Sequence, residues 1–71
     1  MARTSSKQKL GNKVRTLRDE KHWTQEKLGE HSGLDRTYIS DIERGVRNPS
    51  LKSLEKLAKA LKIKVSDLTN Y

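Results

Sequence analysis

Four polar residues, Arg36, Thr37, Ser40 and Asp41, have the types and the spacing to present hydrogen-bonding groups on one face of a short helix. Residues three and four apart are neighbours on a helix surface, so Ser40 lies one turn beyond Arg36. Arginine donates two parallel hydrogen bonds, whereas threonine and serine hydroxyls both donate and accept. The chemistry that this set favours is recognition of the polar edges of nucleic-acid bases.

These residues lie in the segment 25–44, QEKLGEHSGLDRTYISDIER, whose small and branched apolar residues have the spacing of a helix-turn-helix. Two helices that cross at about 90 to 120° need a residue without bulk where their backbones approach, and a turn residue that tolerates positive φ. Gly29 and Gly33 supply these two properties. Ile39 and Ile42 would anchor the second helix to the domain and turn the four polar residues outward.

The length and composition of the chain predict one small domain. Its 71 residues leave no room for a second, and the absence of cysteine excludes disulfides and thiolate metal sites. No apolar run approaches the roughly 18 residues of a membrane span, and the polar start lacks the hydrophobic segment of a signal peptide. We therefore expect a cytoplasmic protein, associated with the nucleoid when it is bound to DNA.

The charge balance favours a polyanionic partner. Sixteen Lys and Arg against nine Asp and Glu leave a formal net charge of +7, which attracts phosphates and speeds association. Charge alone does not choose between DNA, RNA and anionic lipid. Because no predicted helix pairs a basic face with an exposed aromatic face, the sequence favours nucleic acid over a membrane surface.

Helical periodicity and capping residues predict five helices and no strand. Residues 10–17 and 54–61 each carry an apolar stripe of helical spacing, and Gly45 should end the third helix. We expect a flexible arm at residues 1–5 and a helical domain at residues 6–71. The predicted N-caps of the five helices are Ser6, Thr24, Asp35, Ser50 and Ser66.

Several short motifs resemble, in number and order, those of the phage-repressor helix-turn-helix family, also called Cro-like or xenobiotic-response-element. The resemblance spans about residues 10–68, and the run LDRTYISDIERG is most similar to controller proteins of restriction-modification systems. It implies an all-α, compact five-helix domain of the lambda-repressor-like type. Its motifs here are Leu17-Arg18, Trp23-Thr24-Gln25-Glu26, Gly33-Leu34, Ile39-Ser40, Ile42-Glu43-Arg44-Gly45, Arg47-Asn48-Pro49-Ser50 and Leu54-Glu55-Lys56-Leu57-Ala58.

The resemblance implies a transcriptional regulator whose third helix enters the major groove of double-stranded DNA. The fork of Arg36 suits O6 and N7 of guanine, a pairing worth about 1 to 3 kcal/mol of discrimination. Thr37 can donate, accept, or place its methyl group on that of thymine. Asp41 either accepts from a cytosine amine or orients Arg44 or Arg47, and both alternatives stay open. The predicted base-reading residues are Arg36, Thr37, Ser40 and Asp41.

A second set would bind the DNA backbone and fix the register of the protein without reading sequence. The resemblance implies that Gln25, at the start of the second helix, contacts a phosphate, aided by the positive end of that helix. For Tyr38, core support and a phosphate contact are both open. Arg3 and Lys7 either reach DNA or belong to a solvated tail. The backbone set is Gln25, Tyr38, Arg47, Asn48 and Lys52.

Two further predictions concern packing rather than DNA contact. The resemblance implies an ion pair between Arg18 and Glu43, whose disruption should cost stability because one charge would remain buried alone. A homodimer would hold two recognition helices about 34 Å apart on a pseudo-palindromic operator. Its interface would use the apolar residues of the tail, unless these only close the monomer: Ile63, Val65, Leu68 and Tyr71.

Other classes of function have weaker support in the sequence. His22 and His31 have neither metal-ligand spacing nor a nearby nucleophile, so we expect no enzyme, metal site, cofactor or small-molecule ligand. The alternative function is an antitoxin or adaptor whose main partner is a protein. Such a chain usually needs an added binding segment, and only about ten residues follow the predicted fourth helix.

Overall fold

Five α-helices joined by short turns make up residues 5–70, the part of the chain that the computed structural model describes. They pack around one apolar core and no strand occurs in the described range, so the predicted all-α, five-helix fold is confirmed. Two of the predicted site residues, Arg3 and Tyr71, lie outside this range. The helices are α1 Ser6–Glu20, α2 Gln25–Ser32, α3 Arg36–Glu43, α4 Leu51–Leu61 and α5 Val65–Thr69.

Three of the predicted N-caps are confirmed by their hydrogen bonds. The side-chain oxygens of Thr24, Asp35 and Ser50 accept from backbone N–H groups two or three residues further on, at 3.0, 2.8 and 3.1 Å. Each bond satisfies one of the donors that a helix start leaves without an intrahelical partner. These caps fix the first residues of α2, α3 and α4.

Two predicted caps are wrong by one or two residues. α1 is capped by Ser5 rather than Ser6, since the Ser5 hydroxyl accepts from a backbone N–H three residues on at 3.1 Å. α5 begins after Lys64 rather than at Ser66, because the Asp67 carboxylate accepts from the backbone N–H of Lys64 at 3.2 Å. Ser5 therefore belongs to the folded domain and not to the arm.

The core closes through contacts that link the first and last helices. α3 packs against both α1 and α2, α4 packs against α2 and α5, and α5 returns to α1. No helix in the described residues is long and apolar enough to cross a membrane. The largest side chains that are completely buried are Leu28, Ile39, Ile42, Leu57, Leu68 and Val14.

Glycines act at the helix-turn-helix as predicted. Gly33 ends α2 in the left-handed region, with φ +77°, and its backbone N–H donates to the carbonyl of Gly29 at 2.8 Å. A Cβ on Gly29 would lie 2.8 Å from the carbonyl oxygen of Leu34, closer than real Cβ contacts. The turn between α2 and α3 therefore needs both glycines.

A second close approach, which the sequence did not predict, joins α1 to α3 at Gly11. This residue is buried in the middle of α1. A Cβ there would lie 2.7 Å from the carbonyl oxygen of Glu43 and closer still to that of Ile42. Because both atoms belong to the backbone at the end of α3, the absence of a side chain at Gly11 determines how closely α3 packs against α1.

The apolar residues of the tail contribute mainly to the monomer core. Leu68 is completely buried, so it offers no surface to a second copy and instead supports the alternative in which the tail closes the monomer. Ile63 and Val65 are half-buried against the same core. The large apolar side chains that are most exposed lie elsewhere in the described residues: Val46 at 60% and Leu51 at 67%.

Candidate nucleic-acid interface

The outer face of α3 carries the predicted base-reading residues. Ile39 and Ile42 are completely buried and hold the inner face of the helix against the domain. Arg36 and Thr37 are exposed in the first turn, whereas the other two members of the set, one turn further on, are half-buried. The face is thus most accessible at the N-terminal end of α3.

Arg36 has the freedom that bidentate base recognition requires. It is the first residue of α3, and Asp35 just before it is occupied in accepting from the backbone N–H of Thr37 at 2.8 Å. Arg36 takes part in none of the salt bridges formed within residues 5–70. Its guanidinium therefore keeps its paired donors for an outside acceptor.

Asp41 serves two arginines at once. Its Oδ1 accepts from Nη2 of Arg44 at 2.5 Å, and its Oδ2 lies 3.6 Å from Nε of Arg47. The Asp41 side chain is only 19% exposed, while those of Arg44 and Arg47 are 64% and 51% exposed. With both oxygens beside cations, this carboxylate is arranged to orient arginines, which favours that alternative over base reading.

Tyr38 connects the recognition helix to α4. Its hydroxyl donates to Oγ of Ser53 at 3.1 Å, and the same Oγ also accepts from the Ser50 hydroxyl at 3.1 Å. The guanidinium of Arg47 lies 5.0 Å from the centre of the Tyr38 ring, a cation–π contact. The tyrosine is thus engaged in supporting the loop between α3 and α4, and its phosphate contact stays a prediction.

A buried charge pair joins α1 to the end of α3. Arg18 donates from Nε and Nη2 to the two carboxylate oxygens of Glu43 at 2.7 and 3.0 Å. Only 12% of the Arg18 side chain and 4% of the Glu43 side chain are exposed. Hydrogen bonding to Glu43 raises the pKa of Arg18 above its ordinary value, although burial acts in the opposite direction. The pair that the resemblance implied is therefore present in the fold.

Three more groups contact the same pair, one of them the exposed carboxylate of Asp19, whose Oδ1 lies 3.3 Å from Nη1 of Arg18. Nη1 of Arg18 donates to the carbonyl oxygen of Trp23 at 2.6 Å, and Nε2 of Gln25 donates to Oε1 of Glu43 at 3.1 Å. We call these four residues, Arg18, Trp23, Gln25 and Glu43, the Arg18 cluster. It joins Gln25, the predicted phosphate contact, to the predicted ion pair, a link that the sequence alone does not predict.

The remaining predicted backbone contacts lie around the loop that leads to α4. Arg47 and Asn48 are exposed there, and the buried Pro49 anchors the loop to the domain. Lys52 is exposed in the first turn of α4, and Lys7 is exposed in the first turn of α1. Of these four side chains, only that of Arg47 is held in place by the contacts described above, with Asp41 and Tyr38.

Trp23 and His31 pack against each other at the start and end of α2. His31 stacks on the ring of Trp23 with centroids 4.3 Å apart and planes 5° from parallel, and Lys21 lies 5.2 Å from the same ring. Within the described range, no three His, Asp or Glu residues are grouped to hold a metal ion. Trp23 therefore packs at the start of α2 and is not a free stacking platform.

The five-helix fold and the polar outer face of α3 are typical of helix-turn-helix proteins. The chain belongs to the helix-turn-helix family, whose pattern matches residues 14–68. The match includes α2 and α3 entirely. Membership identifies a DNA-binding transcriptional regulator and not an enzyme.

Individual relatives indicate a narrower group of regulators, the controller proteins of restriction-modification systems. The chain is 52% identical over 63 residues to the control protein C.BamHI of Bacillus amyloliquefaciens, an alignment that spans 87% of this chain and 78% of the relative. The restriction-modification controller protein C.AhdI of Aeromonas hydrophila has a similar structure, with a TM-score of 0.85 at 47% identity, over 87% of this chain and 94% of that one. The predicted similarity to controller proteins is confirmed.

A related structure was solved with nucleic acid. SinR, a master regulator for biofilm formation whose structure is of a complex with DNA, matches with a TM-score of 0.79 at 35% identity. The match covers 83% of this chain and 95% of that one. The shared fold therefore occurs in a protein that binds DNA.

Proposed function

We propose that this helix-turn-helix regulator binds a pseudo-palindromic operator as a homodimer, with one α3 in the major groove of each half-site. The observation that carries the proposal is the outer face of α3, where Arg36 is exposed and takes part in no salt bridge of residues 5–70. One such helix reads only a few base pairs, so two related by a twofold axis multiply the discrimination. Cytoplasmic DNA is the proposed site of action.

In the proposed complex, the residues of α3 have different roles in DNA recognition. Arg36 binds O6 and N7 of a guanine, and Thr37 and Ser40 contact neighbouring base edges by hydrogen bonds or through the threonine methyl. Asp41 acts through Arg44 and Arg47, which it holds at 2.5 and 3.6 Å. The two cations offset the repulsion that a lone carboxylate would meet from phosphates.

The DNA backbone is bound on both sides of α3. Gln25 at the start of α2 contacts one phosphate, and Arg47, Asn48 and Lys52 at the following loop contact others. Support comes from the exposure of the last three side chains and from the helix start beside Gln25. These contacts supply affinity and fix register, while the base contacts supply specificity.

We also propose that the protein is a controller of a restriction-modification system. Its similarity to the control protein C.BamHI and to the controller protein C.AhdI supports this assignment. In the proposed dimer, the half-buried Ile63 and Val65 remain candidates for the interface, together with Tyr71. We leave Leu68 out of the proposed interface because it is completely buried within the single chain.

Selection of bound sequences from a random DNA pool tests the proposed operator directly. We expect enrichment of two inverted half-sites with centres about 10 base pairs apart, the spacing that places two recognition helices on one face of the duplex. Enrichment of one unrepeated half-site would contradict the dimer. A pool that stays random, together with a stable stoichiometric protein partner in a pull-down, would instead favour the adaptor function.

Replacing Arg36 by alanine should remove the preference for one base at one position of each half-site. Loss of a bidentate arginine–guanine pair costs about 1 to 3 kcal/mol of discrimination, roughly 5- to 150-fold. Repeating the selection with Arg36→Ala measures this effect, and Arg15→Ala is the matched control because Arg15 is an exposed arginine of α1. An unchanged selected motif in Arg36→Ala would exclude Arg36 from base reading.

Arg47→Ala should instead weaken binding to all sequences alike. Each lost phosphate contact lowers the slope of log affinity against log salt by roughly one unit per subunit. Titrations of operator and unrelated duplex at several salt concentrations measure that slope. Lys59→Ala, which removes an exposed cation from α4, should leave the slope unchanged. If Arg47→Ala also left it unchanged, Arg47 would not belong to the phosphate-binding set.

A further inference from the structure

The Arg18 cluster does more than pair two charges, because it also holds a side chain proposed to contact DNA. Nε2 of Gln25 donates to Oε1 of Glu43 at 3.1 Å. That carboxylate is itself fixed by two hydrogen bonds from Arg18, at 2.7 and 3.0 Å. Gln25 is half-buried, although it is the first residue of its helix. Its carboxamide is therefore tied to a rigid acceptor.

The cluster fixes the start of α2 from both sides of its N-cap. Arg18 binds the carbonyl of Trp23, the residue before the cap, at 2.6 Å. Glu43 binds the side chain of Gln25, the residue after the cap. Since Glu43 is also the last residue of α3, one guanidinium and one carboxylate hold the N-terminus of α2 against the C-terminus of α3.

We infer that Glu43 is a positioning residue for DNA binding, which holds one Nε2 hydrogen of Gln25 so that the other is directed at a phosphate oxygen. A primary amide has two N–H donors, so the bond to Glu43 leaves one for the DNA. A donor already bound to a carboxylate is held in place before DNA arrives, which removes the cost of ordering a flexible side chain. Hydrogen bonds in such a chain also polarise one another.

This inference rests on the proposed function and adds that the DNA contacts of α2 and α3 are mechanically coupled. The phosphate contact of α2 and the base-reading face of α3 meet the DNA as one unit, because both are attached to the same carboxylate. A shift of Glu43 would move the phosphate contact relative to the bases that α3 reads. Register on the operator would then depend on a residue that touches neither base nor phosphate.

A double-mutant cycle on operator affinity tests the coupling. Gln25→Ala should weaken binding roughly tenfold in the wild-type background, the effect of losing a hydrogen bond to a charged group. In an Arg18→Met/Glu43→Leu background, which replaces the charge pair by apolar side chains of similar size, the same change should cost less than about twofold. Asn48→Ala is the matched control, because Asn48 lies outside the cluster and should lose equal affinity in both backgrounds.

A second measurement needs only the wild-type protein without DNA. In NMR spectra, the side-chain amide protons of Gln25 should exchange with water more slowly than those of Asn48, whose side chain is exposed. Equal exchange at the two amides would overturn the inference, whether or not the apolar background folds. A cycle in which Gln25→Ala costs the same in both backgrounds would also overturn it.

The same experiments separate this inference from the function on which it rests. If the wild-type protein enriches no DNA sequence, the proposed operator binding is wrong and the positioning role falls with it. If wild-type protein selects an operator and Asn48→Ala weakens it, the proposed function stands. The cost of Gln25→Ala in the two backgrounds and the exchange of the Gln25 amide protons then decide whether Glu43 acts through Gln25.

Discussion

Gly11→Ala should destabilise the domain even though alanine is the better helix former. In the interior of a helix the change gains up to about 1 kcal/mol of helix propensity. Against this, the new Cβ would lie 2.7 Å from the carbonyl oxygen of Glu43 and closer to that of Ile42. Both are backbone atoms, so relief requires α3 to move off α1. We expect a net loss of about 2 kcal/mol, because two contacts this short to backbone oxygens put the cost of overpacking at or above the upper end of the usual range of about 1 to 3 kcal/mol.

Thermal unfolding measures this loss. For a domain of this size, each kcal/mol lowers the midpoint by roughly 4 to 8 °C, so the melting temperature of Gly11→Ala should fall by about 10 °C. Thr16→Ala, at an exposed position of the same helix, should keep or slightly raise it. A Gly11→Ala protein as stable as the wild type would mean that α1 and α3 do not approach as closely as the structure indicates.

Gly11 also shows a limit of prediction from sequence, because its role depends on a long-range contact. Gly29 and Gly33 were identifiable because they lie in one local pattern with Ile39 and Ile42, and the spacing of that pattern reports two crossed helices. Gly11 lies more than thirty residues from the carbonyls that it approaches. Nothing in its own neighbourhood distinguishes it from an ordinary weak point in a helix.

Backbone conformation shows the same limit. Glycine indicated the left-handed residues at the ends of α2 and α3, where Gly33 and Gly45 have φ of +77° and +74°. His22 and Lys62 adopt φ of +58° and +59° at the ends of α1 and α4. A side chain with a Cβ accepts this conformation only at some cost, which the surrounding packing must offset. Because neither histidine nor lysine favours positive φ, the sequence around these two residues did not predict the left-handed conformation.

The candidate site was predictable to the extent that it is local. Helical periodicity places Arg36 and Thr37 on the outer face of α3, and Asp41 meets Arg44 because they are three residues apart on one helix. The bond from Tyr38 to Ser53 spans 15 residues, and that from Gln25 to Glu43 spans 18. Each depends on the packing of separate elements. Family resemblance predicted the pair of Arg18 and Glu43, which are 25 residues apart, and a phosphate contact for Gln25, but it did not predict the bond between Gln25 and Glu43.

Glu43→Gln should be among the most destabilising polar substitutions in the chain. It keeps the shape of the side chain and removes the charge, so Arg18, with 12% of its side chain exposed, loses its buried counter-ion. Arg18 then keeps only the Asp19 carboxylate, which is 58% exposed and lies 3.3 Å from Nη1. Breaking a buried pair in this way typically costs about 3 to 5 kcal/mol. A domain of this size is stable by roughly 4 to 10 kcal/mol in total. Much of the protein should therefore be unfolded at moderate temperature.

Urea unfolding of three variants distinguishes the loss of an ion pair from general damage to the core. Glu43→Gln should lower the midpoint strongly, while Arg18→Met/Glu43→Leu should recover most of the loss, because no charge then remains buried. Glu55→Gln, at an exposed carboxylate of α4, should leave the midpoint unchanged. If Glu43→Gln were as stable as the wild type yet failed to bind the operator, the buried pair would not hold the fold together. Glu43 would then act on DNA binding alone.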